Sequence, residues 1–345
     1  MQRENSRERK HPLLLLFCAS GICASYLYFG VVQEMLFSRG NSTSSAIKDA
    51  GSTASFMLVL SCMTNVIVSQ ILIWIERCIS KSVSNESRSR PLCHRYLMSG
   101  ALAYASAMMA SNESLAYVSY PTAVLAKSSK LIPTMIAGIF VADKKFSVSE
   151  WMSAVLITGG ITTFNLSRLN SKDQGDDTVY GIVLLIFSLF MDGILATCQT
   201  KIKQSSSKTY RAPNALETML WMNAYGAIFL APLSYFSGQL SNGIRLVNGS
   251  FSIKEGDMSI TTAIGILNMT AAVGQIFIFF TIQLFSPLMC TTITTTRKFI
   301  TIILSVWNFG HQFSMVQWTS ISFVFSGIYI AIVSEFVGSR KVKTQ

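Results

Sequence analysis

Ten stretches of predominantly apolar residues follow one another along the chain, each close to the length of about 20 residues that a helix needs to cross a bilayer. They lie at Leu13 to Leu36, Ala54 to Ile75, Tyr96 to Leu115, Tyr117 to Val141, Trp151 to Leu166, Tyr180 to Thr200, Ala215 to Phe236, Ser259 to Phe285, Leu288 to Phe309 and Phe313 to Val337. Only 13% of the residues are charged, against about 25% in soluble domains. The apolar excess must therefore face lipid. This excludes a disordered chain, a disulfide-built secreted domain and an ordinary soluble enzyme, but not a membrane enzyme. The expected fold is all-α: a polytopic membrane protein of ten transmembrane helices. The first stretch is too long for the apolar part of a signal peptide and is expected to be retained.

Lys and Arg collect in cytosolic loops, so their distribution orients the chain. Arg3, Arg7, Arg9 and Lys10, then Arg77, Lys81, Arg88, Arg90 and Arg95, then Lys144 and Lys145, then Lys201, Lys203, Lys208 and Arg211, and finally Arg340, Lys341 and Lys343 share one side. Opposite them stand only Arg39, Lys48, Arg168, Lys172, Arg245 and Lys254. Eighteen against six predicts cytosolic termini. The triplets at Asn41 and Asn248 then fall in the far-side loops, where N-glycosylation takes place.

The remaining four cations fall inside the spans: Lys127 and Lys130 in the fourth, Arg297 and Lys298 in the ninth. A charge at a helix centre costs about 2.5 to 3.5 kcal/mol on insertion scales, so four of one sign need a watery cavity or anions. Snorkelling to an interface is the alternative. The i, i+3 spacing of Lys127 and Lys130 places both on one face of a continuous helix.

An offset of 167 superimposes Phe146, Ser147, Trp151, Ser153, Gly160 and Ile161 on Phe313, Ser314, Trp318, Ser320, Gly327 and Ile328, and Lys130 on Arg297. The fourth and fifth spans thus correspond to the ninth and tenth. Five is odd, so two five-helix units (12–167 and 180–337) would have opposite orientation, an inverted repeat within one transmembrane domain covering 1–345, with a cytosolic tail at 338–345. Such repeats bind substrate at their shared midplane axis. Four cations there would match a diphosphate or other polyanion, Arg297 by paired hydrogen bonds and the lysines as point charges. The hydroxyls of Thr291, Thr292, Thr294, Thr295 and Thr296 would either add to this site or bond their own helix backbone. Gly159, Gly160 and Gly327 suggest close helix approach.

Glu34, Gln33 and Tyr28 stand toward the far end of the first span, and Asp192 within the sixth. A carboxylate at either place could pair a site lysine and release it to an arriving anion; Glu34 could equally sit in interfacial water. Asn112 and Glu113, with Gln70, Gln199, Asn223 and Gln275, suit hydrogen bonding between helices.

The segments Tyr28-Phe-Gly-Val-Val-Gln-Glu34, Ser111-Asn-Glu-Ser-Leu115, Ser119-Tyr-Pro-Thr-Ala-Val-Leu-Ala-Lys-Ser-Ser-Lys130 with Pro133, and Thr294-Thr-Thr-Arg-Lys-Phe299 resemble the nucleotide-sugar transporters of the drug/metabolite transporter superfamily. The closest branch is the endoplasmic-reticulum UDP-galactose transporter homologues of the UAA transporter family, relatives of the sulfate-donor (PAPS) transporters. The resemblance implies a ten-helix antiporter that takes a cytosolic nucleotide sugar, UDP-galactose or UDP-glucose first among them, into the lumen in exchange for a nucleotide. ATP/ADP exchange and PAPS transport belong to the same fold. It further implies that Lys127, Lys130, Arg297 and Lys298 hold phosphates, with Glu34, Gln33, Tyr28 and Asn112 completing the substrate-binding set. Lys341 and Lys343, third and fifth from the end, resemble a dilysine signal read by a retrieval coat, which would place the protein in the endoplasmic-reticulum membrane, with the Golgi as the alternative. A basic tail is otherwise a topology anchor.

No cofactor, metal or nucleic-acid partner is expected. The cysteines lack a CxxC pair, and five of the seven lie within apolar runs. An enzyme acting on a lipid-linked phosphate would need paired acids or a base beside the cations; no such motif is present, and His11, His94 and His311 fall outside the spans as read. A scaffold with purely structural buried cations is a third reading, and the inverted repeat opposes it.

Overall fold

A computed structural model describes residues 12–38, 54–79, 90–114, 117–118, 122–123, 126–127, 129–167, 178–205, 210–248, 260–308 and 314–341. Among them the chain is helical, and an isolated bridge between Leu92 and Arg211 joins two connecting segments. The helices are α1 (Pro12–Ser38), α2 (Ala54–Ile79), α3 (His94–Ser114), α4 (Leu131–Ala142), α5 (Val148–Leu166), α6 (Val179–Gln204), α7 (Ala215–Phe236), α8 (Gln239–Asn248), α9 (Ile260–Leu284), α10 (Pro287–Asn308) and α11 (Met315–Lys341). Setting α8 aside, they match the ten apolar stretches in order. Stretches in α1, α2, α6, α9 and α11 are long and apolar enough to cross a membrane. Their outward faces carry large apolar side chains, such as Ile67 and Trp74 on α2 and Phe323 and Tyr329 on α11, which water would not tolerate in such density.

The fourth stretch departs from expectation. Instead of one helix over Tyr117–Val141, α4 begins only at Leu131, after a turn at Ser129 and Lys130. Pro133 explains the break: within a continuing helix its ring would collide with the Ser129 carbonyl, whereas in the first turn its missing N–H has no effect. The equivalent position in α10 is Ile300, and α10 runs unbroken. α8 was not foreseen either. It is a short polar helix whose Gln239 side chain accepts from the Ser55 backbone N–H at 2.9 Å, capping the start of α2.

Helix pairing follows a pattern. α5 packs on α11, α2 on α7, α3 on α6 and α1 on α9, with α4 also against α6. Replacing each helix by the one five spans away returns the first two pairs to themselves and turns α3/α6 into α1/α9. The α5/α11 crossing shows why the repeated residues recur. A methyl group on Gly160 would lie 2.8 Å from the Ser320 carbonyl oxygen, and one on Gly327 would lie 3.0 Å from that of Ser153. Each glycine thus lets the other helix's backbone approach closely. Gly159, by contrast, faces open space. The two helices also begin alike: Ser147 N–H donates to Glu150 at 2.7 Å, and Ser314 N–H donates to Gln317 at 3.1 Å, while each serine hydroxyl accepts from the backbone three residues on. Around this crossing Leu131, Met135, Ile157, Phe164, Phe299 and Val324 form a buried apolar core.

Elsewhere polar side chains tie helices together. Asn65 on α2 donates to Asn223 on α7 at 2.9 Å, and the Ser188 hydroxyl on α6 donates to the Ala107 carbonyl on α3 at 2.8 Å. Lys203, past the last apolar turn of α6, donates to the Phe285 carbonyl at 2.6 Å and so meets the negative end of α9. Arg211 holds Glu217 by two hydrogen bonds of 2.7 and 2.6 Å, and Glu217 closes a capping box with Asn214 at the start of α7. Those hydrogen bonds raise the Arg211 guanidinium above its ordinary value.

Candidate functional site

A cavity of about 250 Å³ lies between α1, α3, α6, α7, α9 and α10, with Lys130 at the start of α4 on its wall. Its polar lining comes from Tyr26, Tyr104, Lys130, Asp192, Gln199, Asn223 and Gln275, with Thr134, Thr291 and Thr294; the rest is mainly aliphatic or aromatic. A few convergent polar groups in an otherwise apolar cleft are the usual make-up of a small-molecule site.

Lys130 reaches this wall because the chain turns there. It immediately precedes α4, and its carbonyl accepts from Thr134, both from the backbone N–H at 3.1 Å and from the hydroxyl at 2.7 Å. The N-terminus of α4 lies inside the bundle; the Ile132 N–H donates to the Ser129 carbonyl at 3.3 Å and Pro133 has none, so an anion there meets Lys130 and the partial positive charge of the helix end. Lys127 occupies the preceding short helical turn and is half-buried, within electrostatic reach of Asp192 and Lys130. The two lysines therefore do not share one continuous helical face. Arg297, in the middle of α10, lays its guanidinium over the Tyr26 ring, 5.1 Å from the centroid, and Tyr26 lines the cavity.

The other expected residues fall differently. Lys298, Gln33 and Glu34 lie on α10 and α1, and their side chains are outside the described residues. Tyr28 is exposed on α1 and Asn112 is half-buried near the end of α3; neither is on the cavity wall. Lys341 is the last residue of α11, which runs past the expected span end, and Lys343 lies outside the described residues, as do Asn41, His11 and His311. Asn248 ends α8. His94 opens α3 rather than lying in a loop, with its Nδ1 3.1 Å from the Tyr225 hydroxyl.

Asp192 does line the cavity, but it makes no ion pair with either lysine. Most of the threonine run bonds its own helix: Thr291, Thr292, Thr294 and Thr296 donate to carbonyls three or four residues back, at 2.8 to 3.1 Å. Thr291 and Thr294 still reach the wall, where their oxygens can accept. Of the amides read as links between helices, Asn223 is one, and it also faces the cavity with Gln199 and Gln275. Tyr26 and Tyr104 were missed; a tyrosine within an apolar run was the signal available.

Lys144, in the turn after α4, is near one end of this region, in a small recess that shares Thr134, Ala196 and Pro287 with the cavity wall. Burial lowers its ammonium below the ordinary lysine value, and Glu150 and Glu335 oppose that shift.

The sequence pattern of the UAA transporter family matches residues 14–335. The chain is also similar to proteins named "Solute carrier family 35 member B1". The Xenopus tropicalis protein is 32% identical over 316 residues, covering 91% of both chains. That of Gallus gallus is 33% identical over 330 residues, covering 95% of this chain and 94% of the other. The Dictyostelium discoideum protein is 32% identical over 336 residues, or 96% and 80%.

Proposed function

Because the chain belongs to the UAA transporter family and is thus a membrane transporter rather than an enzyme, we propose that its cavity carries a nucleotide-linked sugar. UDP-galactose or UDP-glucose would move from the cytosol into the endoplasmic-reticulum lumen in exchange for a nucleotide. The carrying observation is the joint placement of Lys130, at the N-terminus of α4, and of Tyr26 beneath Arg297 on one cavity. That arrangement supplies cations and the positive end of a helix for phosphates beside an aromatic and amide wall suited to less charged parts of the molecule. Lys127 and Lys298 extend the phosphate set, Glu34 and Gln33 would complete the substrate-binding set, and Tyr28 and Asn112 would meet substrate in conformations other than this one.

All ten helices cross the membrane in this proposal, as two inverted five-helix units with cytosolic termini. Support comes from the loop charges and from the exchange of α3/α6 with α1/α9 between the units. Alternating access then follows from rocking one unit against the other about the shared site. The closing Lys341 and Lys343 would hold the protein in the reticulum through a retrieval coat; imaging a chain with both replaced tests this, and unchanged reticular staining refutes it.

Transport is tested with purified protein in liposomes offered labelled UDP-galactose, UDP-glucose, ATP and PAPS. Uptake of a UDP-sugar above empty vesicles supports the assignment; uptake of ATP or PAPS instead reassigns the cargo, and uptake of none refutes nucleotide transport.

A further inference from the structure

Among the described residues Asp192 is the one carboxylate on the cavity wall, and a carboxylate is out of place in a site for anions. Its position is firmly set. α6 meets α4 where Gly193 packs against Pro133 and Ala137, so Asp192 is held opposite the start of α4 and its Lys130. It lies within electrostatic reach of Lys127 and Tyr104. Yet among the described residues Asp192 makes neither an ion pair nor a hydrogen bond, and the same holds for the side chains of Tyr104, Gln199 and Gln275.

Three roles can be weighed. A counter-ion for the lysines would sit within ion-pair distance of one, and Asp192 does not. A phosphate contact is excluded by like charge. A carboxylate accepts hydrogen bonds only, so what remains is a partner that brings donors without negative charge. In a UDP-sugar, whose uracil has a single N–H donor, the group that offers two adjacent donors to two carboxylate oxygens is a vicinal diol. The ribose has one, and the attached sugar has others. Gln199, seven residues on and so on the same face of α6, provides an amide that can donate to the same hydroxyls.

We propose that Asp192 reads a vicinal diol of the cargo beside the phosphate-binding lysines, and so selects sugar-bearing polyanions over simple ones such as pyrophosphate. This rests on the nucleotide reading above. Hydrogen bonds to a charged acceptor, and the cost of leaving that acceptor unpaired, give a discrimination of about 10- to 100-fold.

The test measures affinity with the full-length purified protein, by ligand-dependent thermal stability, in two arms. One compares UDP with 2′,3′-dideoxy-UDP and reports on the ribose; the other compares UDP-galactose with its 3-deoxy analogue, whose hexose has no two adjacent hydroxyls, and reports on the sugar. In at least one arm the unaltered protein should favour the ligand that keeps the tested diol about 10-fold or more, and Asp192→Asn should bring that ratio close to one while retaining affinity for the ligand that lacks it. Absence of preference in both arms for the unaltered protein overturns the inference without any variant needing to fold. Equal tightening of every ligand by Asp192→Asn, with ratios unchanged, overturns it in favour of simple charge balance. Failure of all these ligands to bind the unaltered protein overturns the nucleotide reading itself, and this inference with it.

Discussion

At the level of single residues, Lys130, one of the four cations inside the apolar stretches, lines the cavity, and Arg297, another, stacks on its Tyr26. Lys130 and Arg297 were legible because a charge within an apolar run has few uses other than function. Their supports were not. Tyr26 lies in a run of apolar residues where an aromatic ring reads as lipid-facing, yet its ring carries the Arg297 guanidinium. The account expects Tyr26→Ala to lower uptake about 10-fold by releasing that guanidinium, and Tyr26→Phe, which keeps the ring face, to stay within about threefold of the unaltered protein. Initial uptake rates at matched protein density measure both; an inactive Tyr26→Phe would assign the role to the hydroxyl instead. Asp192 was read from sequence as a partner for a lysine, because one sequence gives neighbours along a helix but not distances across a cavity.

For whole elements, hydropathy located the helices well and missed breaks within them. Transfer free energy sums over a stretch and does not depend on whether its backbone is continuous, so Tyr117 to Val141 read as one span although Pro133 permits a helix only from Leu131. The repeated Ser, Gly and Trp positions did signal equivalent helices. What they encode is the α5/α11 crossing with its two close approaches and its two capping boxes. Accordingly Gly160→Val and Gly327→Val should each lower the melting temperature in detergent markedly, because the backbone carbonyl they meet cannot move aside. Gly159→Val, which meets open space, should change it little. Equal effects of all three would show that helix propensity rather than the crossing is responsible. α8 escaped notice because ten polar-rich residues between apolar spans carry no length signal.

For the molecule as a whole, the cations divide by position: many in connecting segments, few in spans, and of the few Lys130 and Arg297 meet at one cavity. Two cytosol-assigned segments do meet, where the Arg211 backbone N–H donates to the Pro91 carbonyl at 3.2 Å. The cavity wall runs from Lys130, just before α4, and Asp192, in the middle of α6, to Ile282 and Pro287 at the α9/α10 junction, and that junction is where Lys203 binds. With the orientation proposed here, the cavity faces the cytosol, the side from which cargo would enter. A carrier whose site must always hold an anion to offset its cations exchanges more readily than it returns empty. The most direct test is therefore counterflow: liposomes preloaded with UMP or left empty, offered labelled UDP-galactose or UDP-glucose, with Lys130→Ala and Arg297→Ala alongside. Uptake should be stimulated several-fold by preloading and abolished in both variants at near-normal expression. Uptake that ignores preloading, or that persists in either variant, would contradict exchange at this site.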